Sequence, residues 1–231
     1  MTDCNKMKLK NTLCDIKNAD KTKWTEKWSD ARAKRSLANF PHPSRICLVG
    51  PPSVGKTFMI KHLLLHQRPM FKEAYVIHAD SNETHEYDDL DVTMMMDEFP
   101  PISFWDGSEK SLCIIDDVEF SNLSKDQTAR LNKLLRYGSS HKNVSIYISN
   151  QNFFELPSLV RKLCNVFILW RPRSTMELKL IANRVGMKPN ELEYIFENIC
   201  NEFRDSLCID LHYKTPAKLR KNVFQKIKSS E

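Results

Sequence analysis

The chain has 231 residues, 41% apolar and 28% charged, and no apolar run approaches the ~20 residues needed to cross a bilayer, which excludes a membrane-embedded protein. Residues 1–10 lack an apolar core, so no secretion signal is expected. The net charge of +6 is uneven: 11 Lys/Arg stand against 5 Asp/Glu in residues 1–45, 6 against 1 in 211–231, and 18 against 23 between. Basic ends on a mildly acidic body either meet a polyanion such as nucleic acid or lie solvated. A chain of this length can bury roughly 70% of its unfolded surface and needs no staple. The seven cysteines are scattered at 4, 14, 47, 113, 164, 200 and 208 without a CxxC pair. They read as reduced thiols of a cytosolic or nuclear protein.

In chain order, residues 46–49 form a short apolar strand that runs into a glycine loop, and 58–66 follow as a helix. Residues 75–78 and 112–115 read as further strands. Ser124 with Gln127 three residues later marks a capping box, Leu131, Leu134 and Leu135 form a buried stripe, and Gly138 is expected to end that helix. Residues 144–149 and 166–170 are strands, 174–185 and 190–204 helices, 207–211 a last strand and 217–227 a terminal helix. Apolar strands interleaved with helices predict an α/β fold with a buried, mostly parallel sheet flanked by helices. Three segments are expected: a basic N-terminal arm over 1–43, a central α/β domain over 44–212 and a basic helical tail over 213–231.

Only five glycines occur, yet Gly50 and Gly55 fall close together. Gly50-Pro51-Pro52-Ser53-Val54-Gly55-Lys56-Thr57 satisfies G-x-x-x-x-G-K-[ST] between a strand and a helix. Backbone N–H groups can wrap a polyphosphate only where no side chain blocks the approach, and the following helix turns its positive dipole end to the same anion. Lys56 would reach the β- and γ-phosphates and the Thr57 hydroxyl would ligate Mg²⁺.

The apolar run 112–115 ends in Asp116-Asp117. Adjacent carboxylates after buried positions are costly unless a cation is near. At the carboxyl end of a parallel strand they would face the phosphate loop. Asp116 is expected to hold Mg²⁺ and Asp117 to take a proton from the attacking water, with Glu119 a rival base. The strand 144–149 is followed by Asn150 and Gln151, either of which could hold that water or simply form a turn. Arg161 could stabilise the transferring phosphoryl group from its own or a neighbouring subunit, with Arg171 and Arg173 as competitors.

The phosphate loop, the run ending Asp116-Asp117, and Ile148-Ser149-Asn150-Gln151 leading to Leu156-Pro157 and Val160-Arg161 together resemble the genome-packaging ATPases of the FtsK/HerA superfamily. The resemblance is to the branch of poxviruses and other large DNA viruses, virophages, Polinton-type elements and membrane-containing phages, and covers roughly 44–222. Asp80 to Tyr87 is similar to a polar, tyrosine-bearing loop after the family's second strand, and 208–211 with Arg220-Lys221-Asn222 to its closing strand and basic tail. The resemblance implies a RecA-like core that binds ATP and Mg²⁺, assembles into a pentameric or hexameric ring and pumps double-stranded DNA into a capsid. Gln151 would be the sensor and Arg161 a trans-acting finger. A capsid vertex or portal protein would be a partner, and the site of action would be virus assembly in host cytoplasm or nucleus, or the virion. One departure is Asp117, where the family often has Glu.

Other stretches are less directed. Between Lys72 and Lys110 there is no Lys or Arg, while Asp80, Glu83, Glu86, Asp88, Asp89, Asp91, Asp97, Glu98 and Asp106 are acidic. This stretch should not face DNA and reads as a solvated insertion or a meeting surface for a basic neighbour. The three methionines 94–96 and Phe99 suggest a small core. Trp24 and Trp28, four apart, suggest a basic helix with one aromatic stripe. Two other functions share the phosphate loop. A small nucleotide kinase would need an acceptor pocket and an arginine-rich lid, which are not evident. A non-enzymatic nucleotide-binding or capsid-assembly protein would not need Lys56, Thr57, Asp116 and Asp117 all intact.

Overall fold

The computed structural model of the protein describes residues 38, 40–67, 70–78, 85–87, 92–212 and 218–227. The tryptophan helix expected in the N-terminal arm lies outside them. Four strands are buried along nearly their whole length: β1 (Arg45–Val49), β4 (Ser111–Asp116), β5 (Val144–Asn150) and β6 (Val166–Leu169). β1, β4 and β6 are built on continuous apolar runs because both faces of the sheet are covered, while β5 buries Ser145 and Ser149 along with its apolar residues. With β2 (Glu73–His78), β3 (Met94–Met96), β7 (Leu207–Asp210), β8 (Leu219–Lys221) and β9 (Gln225–Lys226), the described strands make one sheet of order β3-β2-β4-β5-β1-β6-β7-β8-β9. The strands from β3 to β6 in that order run parallel, and β7, β8 and β9 are antiparallel.

Alternate strand residues feed two cores. Helix α1 (Lys56–His66) buries Ile60 and Leu63 on one face, against Ile46, Leu48, Ile114 and Ile168. The other face, with Cys47, Ile115, Ile146 and Phe167, is covered by α2 (Lys125–Lys133), α3 (Ser158–Leu163), α4 (Thr175–Val185) and α5 (Pro189–Asn198). Among the described residues no helix is long and apolar enough to cross a membrane.

Several sequence expectations are corrected. The segment expected as a terminal helix is the β8–β9 hairpin. Asn222 (φ 49°) and Val223 (φ 68°) adopt left-handed backbone, which no helix accommodates, and the Val223 side chain is driven into the α1-side core. The basic residues here serve the fold. Arg220 is fully buried and donates to Asp210 Oδ2 at 3.2 Å, and Lys221 pairs with Asp205 at 2.6 Å. These two cations are therefore not offered to a polyanion. Gly138 does not end its helix, which continues through a π-helical segment Leu134–Gly138 and a last turn Ser139–His141. A side chain at 138 would instead strike Leu134 Cδ1 at 2.8 Å and Ile102 Cδ1 at 3.1 Å. The capping box is half formed. Ser124 Oγ accepts from the Gln127 N–H at 3.1 Å, but the Gln127 side chain bridges to Phe99 N–H and Glu98. Helix α5 stops at Asn198 rather than 204, where Asp205 accepts from the Glu202 N–H and turns the chain toward β7.

Candidate nucleotide and magnesium site

Parallel order places the carboxyl ends of β1, β4 and β5 at one edge of the sheet. Val49 stands beside Asn150, and Asp116 stands between His78 and Ser149 in register. The phosphate loop leaves β1 at that edge. Ser53 (φ 67°) and Gly55 (φ 98°) adopt left-handed backbone, and Gly55 caps α1 with no side chain over its first N–H groups. Those donors are left for an anion. Gly50 has a different constraint: a Cβ there would lie 2.7 Å from Trp170 Cβ. Lys56 crosses the loop, its Nζ donating to the carbonyls of Gly50 at 2.9 Å and Pro51 at 3.1 Å. Burial holds its ammonium below the ordinary value, against the opposing pull of Asp117, Asp116 and Glu86.

Asp116 and Asp117 sit in different environments. Asp116, the last residue of β4, is 5% exposed and accepts at Oδ2 from the Tyr87 hydroxyl at 2.6 Å. Burial, reinforced by the Asp116 carboxylate, raises the Tyr87 phenol far above its ordinary value, so it remains a donor. Asp117 leaves the strand with φ 53° and is exposed, its two carboxylate oxygens accepting from Gln151 Nε2 at 3.3 and 3.2 Å. Across from Asp116, the Thr57 hydroxyl donates to Glu86 Oε2 at 2.8 Å.

The two amides at the carboxyl end of β5, Asn150 as its last residue and Gln151 after it, divide the roles left open by the sequence. Asn150 forms the turn, its Oδ1 accepting from the Asn152 N–H at 2.9 Å, whereas Gln151 reaches Asp117. Lys56, Thr57, His78, Glu86, Asp116, Asp117 and Gln151 all line one cleft of about 580 Å³ with Pro52, Ser53, Gly55 and Phe58. Glu119 lines a neighbouring groove of about 470 Å³ that shares Asp117 and Gln151 with the cleft, and its Oε1 accepts from Ser121. Arg161 lines neither. Its guanidinium donates to the carbonyls of Phe153 and Phe154 at 3.1 and 3.2 Å. Arg171 and Arg173 line a third cavity of about 120 Å³, with Pro51, Pro52 and Trp170. Glu86 and Tyr87 join the site without a spacing motif to announce them. The polar loop after the second strand is the sole sequence hint.

Among the described residues there is no cluster of three or more His, Cys, Asp or Glu that could hold a metal ion by itself. The donors lining the cleft are hard oxygens: the Thr57 hydroxyl and the carboxylates of Asp116, Asp117 and Glu86. That set fits Mg²⁺, which keeps several waters and relies on one or two protein oxygens plus phosphate.

No family model matches the chain, and no curated protein matches it. Solved structures do. The genome packaging NTPase B204 of Sulfolobus turreted icosahedral virus 2, bound to AMPPCP, superposes with TM-score 0.58 at 16% identity, over 78% of this chain and 97% of that one. The DNA-packaging ATPase B204 of Sulfolobus turreted icosahedral virus gives 0.56 at 19% identity, over 79% and 98%. The pCW3 conjugation coupling protein TcpA, bound to ATPγS, gives 0.53 at 14% identity, over 80% and 60%. The chain has the RecA-like P-loop NTPase fold of these proteins.

Proposed function

We propose that the chain is an ATP-hydrolysing motor subunit that moves double-stranded DNA, in the viral genome-packaging branch of the FtsK/HerA superfamily. One observation carries the reading: Lys56, Thr57, Asp116, Asp117 and Gln151 meet in a single cleft at the carboxyl edge of the sheet. The fold around that cleft is shared over nearly the full length of a genome packaging NTPase. In this reading Lys56 exchanges the Gly50 and Pro51 carbonyls for phosphate oxygens, and the N–H groups from Ser53 to Thr57 hold the phosphates, the Gly50 N–H being donated to the Asn150 carbonyl and the two prolines having none. Thr57 and Asp116 would hold Mg²⁺, which when bound neutralises charge on the phosphates. Asp117 takes the proton of the attacking water and Gln151 aligns both. Asp117 is supported over Glu119 because it faces the cleft itself.

Arg161 does not line its own cleft, so its proposed finger role is toward a neighbouring subunit's nucleotide in a ring of five or six. Mixing Arg161→Ala subunits with wild type should then depress turnover beyond simple dilution, whereas strict proportionality would remove the residue from the mechanism. The capsid vertex or portal is the proposed docking partner, and sites of virus assembly the place of action.

The experiment for the whole reading is ATP hydrolysis titrated with duplex DNA and salt. Turnover should require Mg²⁺, rise saturably with DNA, lose that stimulation steeply as salt rises, and vanish in Lys56→Ala. A rate indifferent to DNA, or phosphate transfer to a nucleoside monophosphate in place of water, would overturn it.

A further inference from the structure

The short 3₁₀ turn His85–Tyr87 lies far in sequence from both the phosphate loop and β4, yet it touches the two side chains best suited to hold a cation. Both contacts have the same chemical sense. The Thr57 hydroxyl, which also lies beside the Tyr87 phenol, gives its proton to Glu86 Oε2, so its oxygen can offer a lone pair rather than a proton to a cation. The buried Tyr87 hydroxyl gives its proton to Asp116 Oδ2, which fixes the carboxylate plane and leaves Oδ1 outside that bond. A ligating hydroxyl must hand its proton to an acceptor. A ligating carboxylate keeps its direction only if its other oxygen is held.

We infer that Glu86 and Tyr87 are positioning residues for the divalent cation, Glu86 acting through Thr57 and Tyr87 through Asp116. The inference rests on the nucleotide and Mg²⁺ reading of the cleft. It assigns this role to a turn outside the phosphate loop and the acidic strand end. Outer partners of this kind govern metal affinity by about 10–100-fold. Neither hydrogen bond involves a backbone donor of the phosphate loop, although the Glu86 carboxylate also acts on the Lys56 ammonium.

The test is calorimetric binding of a non-hydrolysable ATP analogue to the full chain, in EDTA and across a Mg²⁺ titration, for wild type, Tyr87→Phe, Glu86→Ala and Glu86→Gln. Glu86→Ala and Glu86→Gln remove the same charge from beside Lys56, so their analogue affinities in EDTA should match each other, and Tyr87→Phe should match wild type. The Mg²⁺ midpoint should rise about 10–100-fold in Tyr87→Phe and Glu86→Ala. Glu86→Gln, whose amide oxygen can still accept from Thr57, should shift much less. Glu86 is exposed, so its variants keep the test decisive even if the buried Tyr87 tolerates change poorly. Unshifted midpoints in Glu86→Ala and Tyr87→Phe would overturn the inference alone. So would an equal shift in Glu86→Gln and Glu86→Ala, since charge rather than positioning would then be at work. A wild type that binds no nucleotide would overturn the cleft reading and this inference with it.

Discussion

Replacing Asp117 by Asn separates the proposed base from its neighbours. The residue sits at φ 53°, a region that Asn tolerates as well as Asp does, so the backbone gains no strain. Its side chain is exposed and its partners are the amide donors of Gln151, which can still donate to the amide oxygen of Asn. Stability should therefore change by less than about 0.5 kcal/mol, as for an ordinary surface substitution. What is lost is the capacity to accept a proton, a function worth about 10²–10⁴-fold in rate, or roughly 3–5 kcal/mol of barrier. Alanine would be a poorer choice because it adds left-handed strain to the chemical loss. Single-turnover hydrolysis should fall by that factor while binding of a non-hydrolysable ATP analogue stays near wild type. Glu119→Gln, in the adjoining groove, should leave turnover within about threefold, the scale of a surface change. A larger loss in Glu119→Gln than in Asp117→Asn would refute the assignment.

Gly50→Ala should destabilise the protein by about 1–3 kcal/mol in urea titration and weaken nucleotide binding, since the new methyl meets Trp170 Cβ, an atom no rotamer can move. A fully stable, fully binding variant would contradict the packing described. Asp210→Asn should cost about 3–5 kcal/mol, because Arg220 would keep a buried charge without its carboxylate; a neutral effect on the urea midpoint would show that the pair is dispensable. Stability should also decline above about pH 9. Burial raises the Cys208 thiol to about 11 and holds Cys47 and Cys113 above their ordinary value too. These groups keep their protons when folded and lose them when unfolded, so each removes about 1.4 kcal/mol per pH unit once the unfolded thiol ionises. For Cys208 that loss should run from about pH 9 to about 11; a flat profile from 8 to 10.5 would show that the thiols are not so buried.

The central strands are legible because both of their faces are buried, so β1, β4 and β6 carry continuous apolar runs and β5 an apolar stretch over 146–148 between two serines. The phosphate loop was legible for a different reason. Its chemistry fixes residue types at fixed spacing within one short segment. The carboxyl terminus misleads because Leu219, Val223 and Ile227 recur every four residues and mimic a helical stripe. In the hairpin, that spacing arises from a strand, a left-handed turn and a second strand, with Val223 buried at the turn. Strand β3 leaves no signal in the sequence, since its methionines carry neither β-branching nor alternation. The pairing of Asn150 with a turn and of Gln151 with Asp117 could not be read from two adjacent amides, because it depends on where β4 delivers its own end. Glu86 and Tyr87 are hardest of all to read, being separated from their partners by a whole helix-and-strand excursion that only the folded chain closes.

A motor of the proposed kind couples nucleotide turnover in this cleft to movement along DNA. A triplex-displacement assay measures that coupling: a third strand is annealed to duplex DNA and its release is followed on adding protein and ATP. Release that requires hydrolysable ATP and is lost in Lys56→Ala is the result predicted. Brisk hydrolysis with the third strand left in place at every protein concentration would contradict a translocating motor.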